Sequence, residues 1–153
     1  MNNSHFNSLA PKLYCLHMNE CDRKKCTAWK LKKLNLLKFI PKISNILAFA
    51  ILLNPFSKQI LIKEDKKIID VHGLIVIDCS WNNILNLKVL NSKNSRRLPS
   101  LIAANPVNYG KWDKLSSAEA LAAALYITEF NDYADLVLSK FNWGTEFKRL
   151  NKL

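Results

Sequence analysis

Residues 74 to 78 read Leu-Ile-Val-Ile-Asp, four apolar residues followed at once by an acid. A short, uninterrupted apolar run after a glycine is typical of a strand buried on both faces of a parallel sheet. A second apolar run, residues 46–53, ends at Asn54-Pro55, and residues 64–70 between the two runs fit a short helix. Buried strands that alternate with helices predict an α/β fold with a parallel sheet.

The flanking segments extend this pattern. Residues 13–18 form a candidate early strand, and residues 27–38 place Leu31, Leu34 and Leu37 on one side with lysines on the other. That spacing predicts an amphipathic helix with a basic outer face. After residue 115 the pattern favours helices only. Ser116 and Glu119 fit a capping box, in which each side chain bonds the backbone N–H of the other residue.

The charge of the chain is strongly basic and unevenly distributed. Lys and Arg number 23 against 12 Asp and Glu, a formal net charge of +11 over 153 residues. Residues 1–50 hold nine basic residues against two acids, and residues 86–114 hold six against one. A polyanion such as RNA or DNA is the natural partner of two basic stretches. Generic solubilising charge is the alternative that composition leaves open.

Several classes of protein are disfavoured by the sequence. The longest apolar run has eight residues, far short of the roughly 20 of a spanning helix. The N-terminal segment is polar, so we expect a cytoplasmic protein without membrane contact. In a reducing cytosol the cysteines are expected to be free thiols or metal ligands rather than disulfides. The spacing of Cys15, His17, Cys21 and Cys26 matches no standard zinc pattern, so we expect no metal. No Walker loop and no Gly-x-Gly-x-x-Gly motif is present.

Three segments carry candidate chemistry. Asp78 ends a buried strand at the carboxyl edge of the sheet, where open α/β sheets bind ligands; the alternative is a helix cap. Residues 96–110 combine two arginines with two prolines, which fits either a ligand-binding loop or a surface connection. Residues 21–27 are basic, and Thr27 can cap a helix whose N-terminus favours an anion. A solvated basic turn is the alternative there.

Taken together, these segments resemble one family closely. The motifs are Cys21-Asp22-x-Lys24-Lys25-Cys26-Thr27, Ile77-Asp78-Cys79-Ser80-Trp81, Leu98-Pro99-x-Leu101-x-Ala103-Ala104-Asn105-Pro106-Val107-Asn108-Tyr109-Gly110 and Phe141-x-Trp143-Gly144-x-x-Phe147. They resemble the small-subunit (16S/18S) ribosomal RNA aminocarboxypropyltransferases of archaea and eukaryotes. The resemblance covers nearly the whole chain from about residue 12.

The resemblance implies a fold and a reaction. The implied fold is α/β and SPOUT-like, with an N-terminal α/β lobe in residues 1–97 and a mainly helical lobe with a deep trefoil knot in residues 98–153. The implied reaction transfers the 3-amino-3-carboxypropyl group of S-adenosylmethionine to N3 of a (N1-methyl)pseudouridine in small-subunit rRNA. A monomer that acts in ribosome biogenesis is implied as well.

The resemblance also assigns roles to residues. The cosubstrate is expected to contact seven of them, namely Thr27, Leu53, Ile77, Trp81, Leu98, Asp113 and Ser117. Asp78 is the nearest plausible general base for the acceptor N3 proton. Lys24, Lys25, Arg96 and Arg97 are expected to bind RNA with a strong salt dependence. Asp113 departs from the family pattern, which commonly has an aromatic residue there.

Two other functions fit the same residues. One is a SPOUT-type RNA methyltransferase that uses the same cosubstrate. The other is a non-catalytic rRNA-binding factor in ribosome assembly, which the basic stretches alone would also favour.

Overall fold

The fold is built on five strands and five α-helices. The structure, a computed structural model, describes residues 10–17, 24–44, 47–78 and 93–153. The strands of this part of the chain are β1 (Leu13–His17), β2 (Lys38–Ile40), β3 (Ile51–Leu53), β4 (Leu74–Asp78) and β5 (Asn94–Arg96). The helices are α1 (Thr27–Lys33), α2 (Lys66–His72), α3 (Ser117–Ile127), α4 (Asn131–Leu138) and α5 (Gly144–Asn151).

The five strands form one parallel sheet in the order β2-β1-β4-β3-β5. Strand β4 lies at the centre, between β1 and β3. The β1–β4 register pairs Leu13 with Leu74 at one end and His17 with Asp78 at the other. Because all strands run the same way, their carboxyl ends meet at one edge of the sheet, and this edge carries the polar residues.

Both faces of the sheet are buried, as the apolar runs predict. Alternate residues of the strands point to opposite faces. Ile51, Leu74 and Val76 join the larger core, which also holds buried residues of α1 and α3. Leu52 and Ile75 join a smaller core on the other face. The sheet is therefore covered on both sides and positions its carboxyl edge rigidly.

The local predictions are confirmed where a pattern is strong and fail at element ends. The strand at residues 74–78 and the helix that begins after Ser116 are confirmed. The helix expected at residues 27–38 ends at Lys33, and Lys38–Ile40 is the edge strand β2 instead. Asn35 adopts a left-handed φ of 59° between them, a conformation that breaks the helix. The expected strand of residues 46–53 is limited to Ile51–Leu53.

The expectation of a two-lobed, SPOUT-like fold with a deep trefoil knot is wrong. The described residues form a single small α/β domain on a five-stranded parallel sheet. The physical reason is that residues from both expected lobes share one core: Ala28 and Leu74 lie in the same apolar cluster as Leu121 and Phe147. The expected domain boundary between residues 97 and 98 stays a prediction.

No helix in the described part of the chain is both long enough and apolar enough to cross a membrane.

Candidate active site

A cavity of about 690 Å³ opens at the carboxyl edge of the sheet. Six of the residues expected to contact the cosubstrate or to act as the base line it, namely Leu53, Ile77, Asp78, Leu98, Asp113 and Ser117. They reach it from three places: the ends of β3 and β4, the chain that leaves β5, and the start of α3. Its volume lies within the range of roughly 300–1,000 Å³ that is usual for small-molecule sites.

The N-terminus of α3 forms the polar end of this cavity. Ser116 caps the helix, because its side chain accepts from Glu119 N–H. Thr27 reaches the same turn across the fold, and its Oγ1 accepts from Ala118 N–H at 3.1 Å. In the part of the chain that the structure describes, the Ser117 N–H donates no hydrogen bond. That amide, at the positive end of an 11-residue helix, is available to an anionic group.

Glu119 organises the irregular turn beside the cavity. Its side chain is fully buried and accepts four hydrogen bonds. Oε2 accepts from the N–H groups of Ala104 (2.7 Å) and Asn105 (3.2 Å). Oε1 accepts from Asn105 Nδ2 (2.6 Å) and Ser116 N–H (2.9 Å). Sequence reasoning identified Glu119 only as a capping residue and missed that it also holds the turn.

Asp113 closes the same turn in a left-handed conformation, with φ of 59°. Its carboxylate accepts from Leu101 N–H and from the Ser100 hydroxyl, each at 3.2 Å. Its own N–H donates to Leu101 O at 2.9 Å. Asp113 also lines the cavity, so these bonds help to shape the cavity wall.

Asp78 lies in a compact cluster at the end of β4. Its Oδ2 is 3.1 Å from His17 Nε2 and accepts from Cys26 Sγ at 3.1 Å. The His17 ring stacks on Phe39, with ring centroids 4.4 Å apart. Both side chains of the His17–Asp78 pair are largely buried, with exposed fractions of 4% and 16%. The carboxylate is therefore held in one orientation at the edge of the cavity.

Three side chains of this cluster have the donor atoms of a metal site. The ligand atoms of His17, Cys26 and Asp78 all lie within 4.8 Å of one another. The two 3.1 Å separations are ordinary for hydrogen bonds to a carboxylate. Nearby, burial raises the pKa of Cys15, and the negative charge of Asp78 adds to this shift. We assign the trio as hydrogen-bonded side chains, and the expected lack of a metal stays a prediction.

A second cavity, of about 830 Å³, adjoins the first. Lys24, Lys25 and Thr27 line it, which brings the predicted RNA-binding lysines beside the predicted cosubstrate threonine. Other residues on its walls were missed from the sequence, namely Lys30, Lys33, Phe141 and Trp143. The basic face expected for α1 was a signal for the lysines. No sequence signal placed Phe141 and Trp143 in the same cavity.

The two predicted arginines lie in different surroundings. Arg96 forms an ion pair with the buried Asp65, to which its Nε and Nη2 each donate at 3.2 Å. Arg97 is more exposed, lines the first cavity, and donates to the carbonyls of Ser57 and Lys58. Arg96 thus has a structural partner, and an RNA contact of either arginine stays a prediction. Trp81, the expected neighbour of the sulfonium, lies outside the described residues.

Comparison with known proteins shows the family of the chain. The family described as "Ribosome biogenesis protein, C-terminal" matches residues 51–153. A protein of Methanobrevibacter smithii named 16S rRNA aminocarboxypropyltransferase is 46% identical over 142 residues, which cover 92% of this chain and 83% of that protein. The chain belongs to the 16S rRNA aminocarboxypropyltransferase family. A member from Methanocaldococcus jannaschii is 42% identical, with 92% of this chain and 83% of that protein covered.

A solved structure of this family has the same fold. The SAM-dependent rRNA:acp-transferase Tsr3 from Vulcanisaeta distributa is similar with a TM-score of 0.87 and 39% sequence identity. The similarity covers 93% of this chain and 79% of that chain. The family membership that the residue motifs predicted is confirmed. The cavity at the carboxyl edge of the sheet is the candidate site for the chemistry of this family.

Proposed function

We propose that this chain transfers the 3-amino-3-carboxypropyl group of S-adenosylmethionine to N3 of a (N1-methyl)pseudouridine in small-subunit rRNA. The chain is an S-adenosylmethionine-dependent transferase of ribosome biogenesis, in keeping with its relatives. The observation that carries the proposal is the first cavity, in which apolar walls, a helix N-terminus and Asp78 meet at the carboxyl edge of the sheet.

The cavity has complementary ends for the two halves of the cosubstrate. Leu53, Ile77 and Leu98 supply apolar surface for the adenosine, and backbone groups beside them are suited to its polar edge. The α3 N-terminus, with the Ser117 N–H available, fits the carboxylate of the amino acid end. Thr27 lies at the same turn. Asp113 completes the wall of the cavity, and Trp81 is proposed beside the methyl group of the sulfonium.

The reaction is a displacement at the γ-carbon of the cosubstrate. The N3–Cγ bond forms while the Cγ–S bond breaks, and its electron pair leaves on sulfur as methylthioadenosine. The sulfonium is already an activated leaving group, so alignment of N3 with Cγ and S supplies much of the rate. The proton of N3 moves to the Asp78 carboxylate, which His17 and Cys26 hold in place.

The basic stretches are proposed to bind the rRNA. Lys24 and Lys25 lie beside the cavities and are exposed, so they can neutralise phosphates near the reacting base. Arg96 and Arg97 are proposed to extend this contact from the other side. The family resemblance further supports a monomer that acts in the cytoplasm, and light scattering coupled to size exclusion tests the monomer.

Labelled cosubstrate tests the proposal. Small-subunit rRNA that carries the unmodified target is incubated with S-adenosylmethionine labelled either in the carboxypropyl chain or in the methyl group. We expect the carboxypropyl label to transfer to the RNA and the methyl label to remain with the small-molecule product. Transfer of the methyl label would show a methyltransferase instead, and transfer of neither label would point to a non-catalytic assembly factor.

A further inference from the structure

We propose that the second cavity binds the acceptor nucleotide and its single-stranded neighbours, with lysines of α1 at the phosphates and the Phe141–Trp143 pair as a stacking surface for a base. This inference rests on the proposed function and names residues for the RNA half of the reaction. It draws on charge, aromatic geometry and the continuity of the two cavities.

The two cavities meet at the chemistry. Four residues line both of them, namely Asp78, Leu115, Ser116 and Ser117. A base in the second cavity can therefore present its N3 at Asp78, while the carboxypropyl chain lies at the start of α3.

One wall of the second cavity is a row of cations. Lys30 and Lys33 project from α1, and Lys24 and Lys25 come just before it. On the same helix, Ala28 and Leu31 are buried in the core. The 3.6-residue period of the helix separates these two faces and turns the lysines into the cavity. Asp78 is the only acid among the described residues that line this cavity, so a phosphodiester meets little repulsion there.

The second cavity is also lined by two aromatic side chains, Phe141 and Trp143. Phe141 and Trp143 stack with ring centroids 4.9 Å apart and an interplanar angle of 29°. Gly144 fixes the turn that carries them, because a Cβ at that position would collide with the carbonyl oxygen of Leu138. Lys30 bridges the two walls: its Nζ lies 4.9 Å from the Phe141 ring centroid and donates to Lys140 O.

Proteins that bind single-stranded nucleic acid combine a basic groove for the phosphates with aromatic side chains on which the bases stack. Asn108 also lines the cavity, and its N–H donates to the side-chain oxygen of Asn105 at 3.0 Å. A carboxamide can donate to a uracil carbonyl, which flanks the reacting N3 on either side. The cavity thus offers contacts to phosphate, to a base face and to a base edge.

The lysines are tested first. We compare the Lys30→Gln/Lys33→Gln variant with a matched control, Lys67→Gln/Lys152→Gln, which removes the same charge from exposed positions that line neither cavity. Affinity for a target hairpin RNA is measured by fluorescence anisotropy over a range of salt concentrations. We expect the slope of log K against log salt to fall by about 1.4 to 1.8 for the cavity variant. The control should change the slope by much less.

The aromatic wall is tested by Trp143→Leu and Trp143→Phe. Loss of one stacked base is expected to raise the KM for RNA roughly 5- to 150-fold in the leucine variant, with the phenylalanine variant close to wild type. The Kd for S-adenosylmethionine, measured by calorimetry, should not change in either. Thermal melting checks folding, and if the leucine variant fails to fold, the loss of RNA-dependent tryptophan quenching in Trp143→Phe replaces it as the measurement.

The outcomes separate this inference from the proposed function. If wild type transfers the carboxypropyl label but the cavity lysines and Trp143 can be replaced without effect on RNA affinity, slope or KM, the acceptor lies elsewhere and the inference is overturned. If wild type transfers no label while the variants lose RNA affinity as expected, the cavity binds RNA and the proposed reaction fails.

Discussion

Replacing Glu119 by Gln tests how far one buried carboxylate holds the active-site turn together. The substitution keeps the shape of the side chain but turns one acceptor oxygen into an N–H₂ donor. Each oxygen accepts two bonds, either from Ala104 and Asn105 N–H or from Asn105 Nδ2 and Ser116 N–H. Whichever way the amide is oriented, two donors then face a donor inside a fully buried site.

The expected loss of unfolding free energy follows from the two donors that are left without an acceptor. A buried donor without a partner costs about 1–3 kcal/mol, so the variant should lose about 2–6 kcal/mol of unfolding free energy. That is a large share of the roughly 5–15 kcal/mol available to a small domain. Because the turn leads to Asp113 on the cavity wall, affinity for S-adenosylmethionine should also weaken.

Urea unfolding followed by circular dichroism measures the loss, and calorimetry measures the cosubstrate affinity. The matched control is Glu129→Gln, which makes the same change at an exposed position just after the same helix and should stay within about 0.5 kcal/mol of wild type. A loss below about 0.5 kcal/mol for Glu119→Gln, with an unchanged denaturant slope, would refute the assigned role of the carboxylate.

Three further outcomes are expected. Asp78→Asn should lower kcat for carboxypropyl transfer about 10²- to 10⁴-fold while cosubstrate affinity measured by calorimetry is retained; a normal rate would remove Asp78 from the base role. Because burial raises the pKa of Cys15, iodoacetamide at pH 8 should modify it far more slowly in the native protein than in urea, as followed by mass spectrometry, and equal rates would contradict its burial. The hydrogen bond from Tyr126 lowers the pKa of Asp135, and Lys148 acts in the same direction. This stabilisation is present above the unfolded-state pKa of about 3.9 and is lost as the pH falls through the lower folded value. Asp135→Asn should therefore lose at most about 1 kcal/mol at pH 7, with the difference from wild type shrinking below about pH 4 in urea titrations; a constant difference would argue against the linkage.

Local patterns in the sequence were sufficient for the centre of the sheet. The run Leu74–Asp78 is bounded by a glycine and ends in an acid, and a short uninterrupted apolar run with such bounds indicates a buried strand from its own sequence. The capping box at Ser116 is similarly local, since both partners lie within one turn of helix. These features predicted the parallel sheet, the position of Asp78 at its carboxyl edge and the start of α3.

Tertiary pairing overrode local preference at α1. Three leucines at a spacing of three residues favoured a helix over residues 27–38, yet Leu34 is 44% exposed and the chain leaves the helix there. Residues 38–40 gain ladder bonds by pairing with β1. A helical continuation would have left the edge of β1 without a partner, and that cost is invisible in the segment's own sequence.

Arg96 is a second residue whose tertiary partner could not be predicted from its local sequence. Its neighbours in sequence are basic and polar, which favoured an RNA contact, but its guanidinium is paired with Asp65, 31 positions earlier. The ion pair ties β5 to the segment before α2, and Ile62 N–H donates to the same carboxylate. The sequence alone does not indicate which distant acid forms an ion pair with this arginine.

The second cavity could not be predicted from the sequence for a related reason. Its basic wall comes from residues 24–33 and its aromatic wall from residues 141–143, and the bond from Lys30 to Lys140 O joins segments 110 positions apart. Each wall alone has an ordinary explanation, as a solvated helix face or as aromatic residues beside a core. Only the fold brings them into one cavity together with Asp78. The proposed RNA half of the site is therefore a property of the tertiary structure, whereas the proposed cosubstrate half was already indicated by short motifs.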